Sequence, residues 1–431
     1  MKPCHAVILT VLLFFAWGNN ALHAQNANPA DTAAGAGVKA TPSVAPAAEA
    51  PAQATGTSLP SNGDIAGADA GAANEKKIAA EAVEKRNADL AVVQQILASP
   101  SITPEIKVSG NKLVTASGTT VWLQGVNVPS LEWSAKGENV LESIKVAIDE
   151  WKANVIRLPL NYGFWFGRGK VSDISNSQPV NDQAAAAYRQ LVDNAVKMAA
   201  ARGAYIILDL HRYVAPDAFA VEFWKDVAAR YKDNPAVLFD MFNEPHNTTW
   251  EVWRNGGDVE IKHPGAASTT YKSPGMQGLV DAIRGTGAKN IIVAGGLGFA
   301  FDLTGILTGY ALEDKTGNGI MYATHFYNWH KGWQKHFLGL VDKYPLLVGE
   351  TGADIKKMPF VPAKNQEDPY TFIPDAIGLI QKYHLNWTAW CFHTHATPRL
   401  LSDWTYDPTP FYGVFVKEAL AGKQFEMQRM R

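Results

Sequence analysis

From Val121 onward the chain alternates short apolar runs with stretches whose apolar residues recur at helical spacing. Eight runs read as strands: Val121–Val128, Val155–Leu160, Tyr205–His211, Val237–Glu244, Asn290–Gly296, Ile320–Tyr327, Leu346–Glu350 and Trp387–Phe392. Helical patterns such as Glu138–Trp151, Ala184–Arg202 and Ala218–Tyr231 fall between them. Strand–helix alternation is the pattern of a parallel sheet. Eight strands over roughly 310 residues match a (β/α)8 TIM barrel with some long loops. An open doubly wound sheet is the competing arrangement. It wants a glycine-rich phosphate loop after an early strand, and Gly295-Gly296 with its neighbours does not form that fingerprint. A short hairpin over Ile106–Thr115, turning at Ser109-Gly110-Asn111, is placed to plug the barrel floor.

The residues before the barrel have a different character. Lys2 followed by the apolar run Ala6–Trp17 and by Ala21-Leu22-His23-Ala24 reads as a signal peptide over residues 1–24. The run is short for a membrane span, so stable membrane insertion is not expected once it is removed. Residues 25–74 are dominated by Ala, Gly, Pro, Thr and Ser and cannot bury enough surface to offset their ordering entropy, which predicts a disordered linker. Residues 75–99 are predicted as a helix ended by Ser99-Pro100, and 100–431 as the catalytic domain. The formal charge is −2, or −3 without the first 24 residues, whose only Lys, Arg, Asp or Glu is Lys2. That balance offers no electrostatic case for nucleic acid. After cleavage Cys391 stands alone, so no intrachain disulfide forms and a free buried thiol is expected. These readings describe a secreted or periplasmic monomer.

In a parallel barrel the active site lies at the C-terminal ends of the strands. The polar and aromatic residues there are Asn127, Arg157, His211, Asn243 with Glu244, His325 with Tyr327, Glu350 and Trp390. Two carboxylates, Glu244 and Glu350, end opposed strands four and seven. Cleaving a glycosidic bond needs one carboxylic acid to protonate the leaving oxygen. It needs a second carboxylate to attack the anomeric carbon or to activate water. Thirteen Trp and fourteen Tyr add aromatic faces suited to sugar rings.

Ile156-Arg157-Leu158, Asp209-Leu210-His211, Asn243-Glu244-Pro245, His325-Phe326-Tyr327, Val348-Gly349-Glu350 and the late Trp390 follow one another in this order along the chain, at the predicted strand ends. Together they resemble glycoside hydrolase family 5, the cellulase family, over roughly Ile106–Leu420. The resemblance implies Glu244 as general acid/base and Glu350 as nucleophile. It implies that Asn243 bonds the sugar 2-hydroxyl, that Tyr327 donates to Glu350, and that His211 and His325 bind sugar hydroxyls and brace the carboxylates. Trp390 becomes the platform under the sugar being cleaved. Arg157 lies in an apolar strand, and a buried guanidinium requires an anionic partner. It is assigned to Glu350. The implied activity is a retaining endo-β-1,4-glucanase acting on polysaccharide or oligosaccharide, with endo-β-1,4-mannanase or another β-glucan hydrolase as the alternative. No cofactor and no metal are expected.

Trp133, Trp165, Trp250, Trp253, Trp329 and Trp404 are candidates for further sugar subsites. Two segments depart from the family pattern. Arg212-Tyr213-Val214-Ala215-Pro216 lacks the Pro-Gly common after strand three, which leaves the neighbouring subsite open. Phe392-His393-Thr394-His395 carries a His-x-His pair that can bind metal, though no acidic cluster accompanies it in sequence. A metal-dependent hydrolase on His393, His395 and His211, and a non-catalytic sugar-binding barrel, are the readings of other classes. The second would typically have lost a carboxylate, and both are intact.

Overall fold

The computed structural model describes residues 94, 95, 98–168, 181–263 and 267–431. The expected signal peptide and linker lie outside the described residues, as does most of the expected helix over 75–99. The first described strands form an antiparallel hairpin, β1 (Ile106–Ser109) and β2 (Lys112–Thr115), followed by the two-residue β3 (Thr120–Val121). Eight parallel strands then close a barrel. In chain order they are β4 (Gln124–Asn127), β5 (Val155–Leu160), β6 (Tyr205–Leu210), β8 (Val237–Asp240), β12 (Ile292–Gly295), β13 (Ile320–Tyr327), β14 (Leu346–Gly352) and β15 (Asn386–Ala389). The last pairs back onto the first, Thr388 opposite Gly125, so the sheet has no edge. Every residue of β5, β6 and β13 is buried, as expected of strands covered by helices outside and packed side chains inside.

The helices begin where their caps dictate. Asn181 accepts the Ala184 N–H at the start of α3 (Asp182–Ala200), and Asp217 accepts the Ala220 N–H at the start of α4 (Ala218–Tyr231). Earlier in the chain lie α1 (Val140–Asp149) and α2 (Tyr162–Phe166). At the N-terminal ends of the strands Ile106 and Leu113 of the hairpin pack with Leu123, Ile207, Leu238, Val293, Met321 and Leu347. This apolar plug closes the floor, where the sequence placed it, and leaves the opposite mouth to polar residues. Among the described residues no helix is long and apolar enough to cross a membrane.

Three features depart from the sequence reading. The ladder of strand four stops at Asp240; Glu244–Pro245 instead forms β9, which pairs with β7 (Tyr213–Val214). The eighth ladder ends at Ala389, short of Phe392. After α5 (Trp250–Asn255) an unexpected antiparallel hairpin, β10 (Gly257–Ile261) and β11 (Thr269–Ser273), precedes α6 (Gly275–Arg284).

Candidate active site

The barrel mouth is organised around Arg157, whose side chain is fully buried. Its Nε donates to Asp240 Oδ2 at 2.8 Å, Nη1 to Glu350 Oε1 at 2.9 Å and Asn127 Oδ1 at 3.0 Å, and Nη2 to Asn243 Oδ1 at 2.9 Å. Asp209 Oδ2 lies 3.1 Å from Nη2. Arg157 therefore meets Glu350, but that pairing is shared with two further acids. A planar fork with five donors can serve this many acceptors; an ammonium cannot. Burial pushes the Asp209 and Asp240 carboxyls up from the usual range, and the Arg157 charge pulls them back.

Glu350 owes its aim to a β-bulge. Along β13 and β14 the register runs Thr324 opposite Val348 and then His325 opposite Glu350, so Gly349 is the extra residue. A Cβ on Gly349 would stand 2.7 Å from His325 Nε2, so only glycine lets that imidazole pack against the strand. The Gly349 carbonyl is held by Asn127 Nδ2 and by Thr388 Oγ1 at 2.6 Å. Tyr327 donates its hydroxyl to Glu350 Oε2 at 2.5 Å, and burial keeps that phenol protonated.

Glu244 faces Glu350 across the mouth. His325 Nδ1 is 3.1 Å from Glu244 Oε1 and 3.7 Å from Glu350 Oε2, and an oxygen of each carboxylate and a His325 nitrogen all lie within 4.8 Å of one another. Burial first, and then the Glu350 charge, raises the Glu244 carboxyl well above the ordinary glutamate range. Burial and the Arg157 charge keep His325 neutral. Arg157 fixes the Asn243 amide by occupying its oxygen, which leaves Nδ2 without a protein partner. His211 Nδ1 bonds Asp209 Oδ2 at 2.7 Å, and burial holds the ring neutral, its pKa pushed down to about 3. Its ring lies nearly parallel to Trp390, centroids 5.5 Å apart at 15°.

The eight residues given a role from sequence (Asn243, Glu244, Glu350, His211, His325, Tyr327, Trp390 and Arg157) are thus linked through one network of contacts, which Asn127 joins through Arg157. The outer tryptophans divide. Trp165 and Trp253 are fully buried and bond Asp226 and the Gly295 carbonyl through their indole N–H, so they are core rather than subsite residues. Trp133, Trp250, Trp329 and Trp404 are half-buried. His393 is buried rather than solvent-facing: its Nδ1 accepts two backbone N–H groups, so its Nε2–H is left to bond Glu138. Both nitrogens are used, and the ring is a strut for its loop. Cys391 is a buried free thiol, as its isolation in the sequence implied. Asp240 escaped the sequence reading, because an acid inside an apolar strand announces no partner. Tyr213 was passed over as part of an atypical loop.

A closed parallel barrel with two opposed glutamates at its C-terminal mouth has the architecture of a glycoside hydrolase. The family model described as Cellulase (glycosyl hydrolase family 5) matches residues 114–396, and the chain belongs to that family. Among curated proteins it is 28% identical over 261 residues to endoglucanase A of Butyrivibrio fibrisolvens, an alignment covering 58% of this chain and 52% of that one. It is 23% identical over 302 residues to endoglucanase MaCel5A of a Microbulbifer species, covering 66% of this chain and 50% of the relative. The chain thus spans about half the length of these relatives. The β-glucanase SdGluc5_26A of Saccharophagus degradans superposes with a TM-score of 0.58 at 22% identity, over 76% of this chain and 95% of that structure. The catalytic domain of Thermobifida fusca endoglucanase Cel5A does so with a TM-score of 0.54 at 18% identity, over 74% and 97%. These two likenesses speak to the fold.

Proposed function

We propose that the protein is an exported retaining endo-β-1,4-glucanase, with Glu350 as nucleophile and Glu244 as general acid/base. The observation that carries this reading is the separation of the two carboxylates. An oxygen of each lies within 4.8 Å of the other, near the roughly 5–5.5 Å of retaining glycosidases and short of the 6.5–9.5 Å that leaves room for an inverting water. Double displacement then assigns the remaining groups. Arg157 and Tyr327 each hold one oxygen of Glu350 and orient the carboxylate for attack on the anomeric carbon. Glu244, kept protonated by burial and by the facing charge, gives its proton to the leaving oxygen. With the aglycone gone, Glu244 takes a proton from water, which releases the sugar from Glu350 with retained configuration. Asn243 Nδ2 is the donor available to the sugar 2-hydroxyl, an interaction that strengthens in the transition state. Trp390 offers its face to the glycone. None of these steps calls for a metal: the cation beside Glu350 is the Arg157 guanidinium. The glucan preference rests on the endoglucanase relatives, and export on the apolar run Ala6–Trp17.

Azide rescue tests the two roles. With an activated aryl glycoside, Glu350→Ala with azide should give the inverted glycosyl azide, because azide replaces the missing nucleophile. Glu244→Ala should give the retained azide, because azide intercepts the glycosyl-enzyme without needing a base. The same anomer from both variants sinks the assignment. Rates on carboxymethyl-cellulose, mannan, xyloglucan and β-1,3-glucan at matched protein decide the substrate, and a faster rate on mannan would replace the glucanase reading.

A further inference from the structure

The Arg212–Pro216 segment has no part in the chemistry above, yet it is built against the acid/base. In the parallel bridge between β7 and β9, Tyr213 stands opposite Glu244. The Glu244 N–H donates to the Arg212 carbonyl at 3.1 Å and the His246 N–H to the Val214 carbonyl at 3.0 Å. Bridge partners point to the same face of a ladder, so the Tyr213 side chain accompanies that of Glu244 into the mouth. To make this pairing Val214 adopts φ 76°, a left-handed conformation that a β-branched residue rarely takes. Strain of this kind persists where the surroundings enforce it and clusters at functional sites.

The Tyr213 hydroxyl lies 3.3 Å from His211 Nε2, and the two rings meet edge to face at 5.7 Å. The direction of that contact follows from His211. Its Nδ1 carries the hydrogen, bonded to Asp209, and the ring is neutral, so Nε2 is an acceptor and Tyr213 donates to it. Burial, with Glu244, Glu350, Glu132 and Asp209 around it, keeps the phenol from ionising. One fixed acceptor and one permanent donor therefore sit side by side, next to Trp390, which is stacked with the same His211.

We propose that Tyr213 and His211 together bind one hydroxyl of the sugar ring lying on Trp390, with Tyr213 as a specificity-determining residue. The sugar hydroxyl gives its hydrogen to His211 Nε2, and its oxygen takes the Tyr213 O–H, which turns away from the imidazole to do so. Both hydrogen-bonding capacities of that hydroxyl are then met. A site built this way discriminates strongly against a ring that lacks the group, because both protein atoms are left without their partner. The inference rests on the glycosidase reading and adds the loop that departs from the family pattern to the glycone site.

The test is a cycle of enzyme against substrate. Wild type and Tyr213→Phe are assayed on an aryl β-cellobioside and on its monodeoxy analogues in the ring next to the aryl group. Phenylalanine keeps the ring and the ladder, and matched melting temperatures check the fold. We expect one position at which wild type loses about a hundredfold in kcat/KM. In Tyr213→Phe the penalty at that position should shrink to about tenfold, the penalties elsewhere should stand, and the parent glycoside should be cleaved about tenfold more slowly. Equal penalties in both enzymes at every position overturn the proposal, as does a wild-type rate for Tyr213→Phe. A shifted pH profile with unchanged penalties also overturns it, since Tyr213 would then act on Glu244 and not on the sugar. If wild type leaves the parent and the corresponding mannobioside intact, the glycosidase reading itself falls and takes this inference with it. Cleavage of the parent with equal penalties removes the role of Tyr213 alone.

Discussion

Replacing Arg157 by Met removes one cation from among three buried acids. At neutral pH, taking away one partner of a buried ion pair costs about 3–5 kcal/mol. An unfolding entropy of about 2.1 cal/mol/K per residue, over the roughly 320 described residues, gives about 0.7 kcal/mol/K. The melting temperature should therefore fall by about 4–7 °C at pH 7. The loss should also depend on pH, with a definite sign. Burial raises Asp209 to about 7 and Asp240 to about 8, above the roughly 3.9 of an unfolded Asp. A carboxyl raised on folding stabilises the fold below its unfolded value, and that contribution is lost as pH rises through the folded one. Arg157 pulls both carboxyls down, so without it they rise further, and the loss deepens as pH rises through about 7–8, where the wild-type carboxyls ionise and those of the variant stay protonated. Thermal unfolding of wild type and Arg157→Met across about pH 5–9 should show a gap in melting temperature that is flat at acid pH and widens above about pH 7. A constant or narrowing gap would refute the claim that Arg157 is there to compensate these acids. The variant should also lose activity beyond its stability loss, because Glu350 Oε1 and Asn243 Oδ1 give up the donor that fixes them.

Activity should fall on the alkaline side as Glu244 deprotonates, with that limb above the ordinary glutamate value because burial and Glu350 raise it; a kcat/KM profile with its alkaline limb near 4.5 would contradict the acid role. Gly349→Ala puts a Cβ 2.7 Å from His325 Nε2, so kcat should drop at least tenfold and stability by about 1–3 kcal/mol, and a wild-type kcat would remove the bulge from the mechanism. Arg431, whose side chain is 2% exposed and bonds Asp375 at 2.8 Å and Glu367 at 2.7 Å, lies outside the catalytic network. Arg431→Met should lower stability by about 3 kcal/mol at unchanged kcat, measured by thermal unfolding beside initial rates, and an altered kcat would tie this corner to the site. Dialysis against a chelator should leave the rate unchanged; loss restored by a divalent ion would instead make the Glu244, His325 and Glu350 cluster a metal site.

How much of this was legible in the sequence depended on how local each signal is. The bounds of β5, β13 and α4 agree with those read from periodicity, because each is a clear apolar or amphipathic run. The polar strand ends were legible for the same reason: a charged residue at the close of an apolar run stands out. The β7–β9 pairing was not, since two residues of ladder are fixed by where β6 and β8 deliver the chain. The β10–β11 hairpin is largely exposed, and its alternation, Val259 and Ile261 between Asp258 and Glu260 with a polar partner strand, is too short to stand out. Trp165 and Trp253 read as surface candidates because a tryptophan does not reveal which face of its helix meets the core. The bulge at Gly349 is a property of register, visible only when two strands are laid side by side.

The two ends of the barrel answer different demands. The floor is apolar, with no ionisable side chain in its packed cluster other than the Tyr205 phenol, which bonds the Pro104 carbonyl. At the mouth, Asp209 Oδ1, Asp240 Oδ1, Asn243 Nδ2 and His325 Nε2 are all buried without a protein hydrogen-bond partner. Each such atom costs about 1–3 kcal/mol, so the mouth is assembled against its own local preference and relies on the packing below. What the arrangement gains is order. Arg157 holds the amide, the nucleophile candidate and two acids in one plane of contacts, so that the dipoles facing a substrate are aimed before it arrives. A mouth relaxed by apolar replacements would fold more readily and lose that aim. On this view the costly atoms and the candidate catalytic atoms coincide because one network produces both.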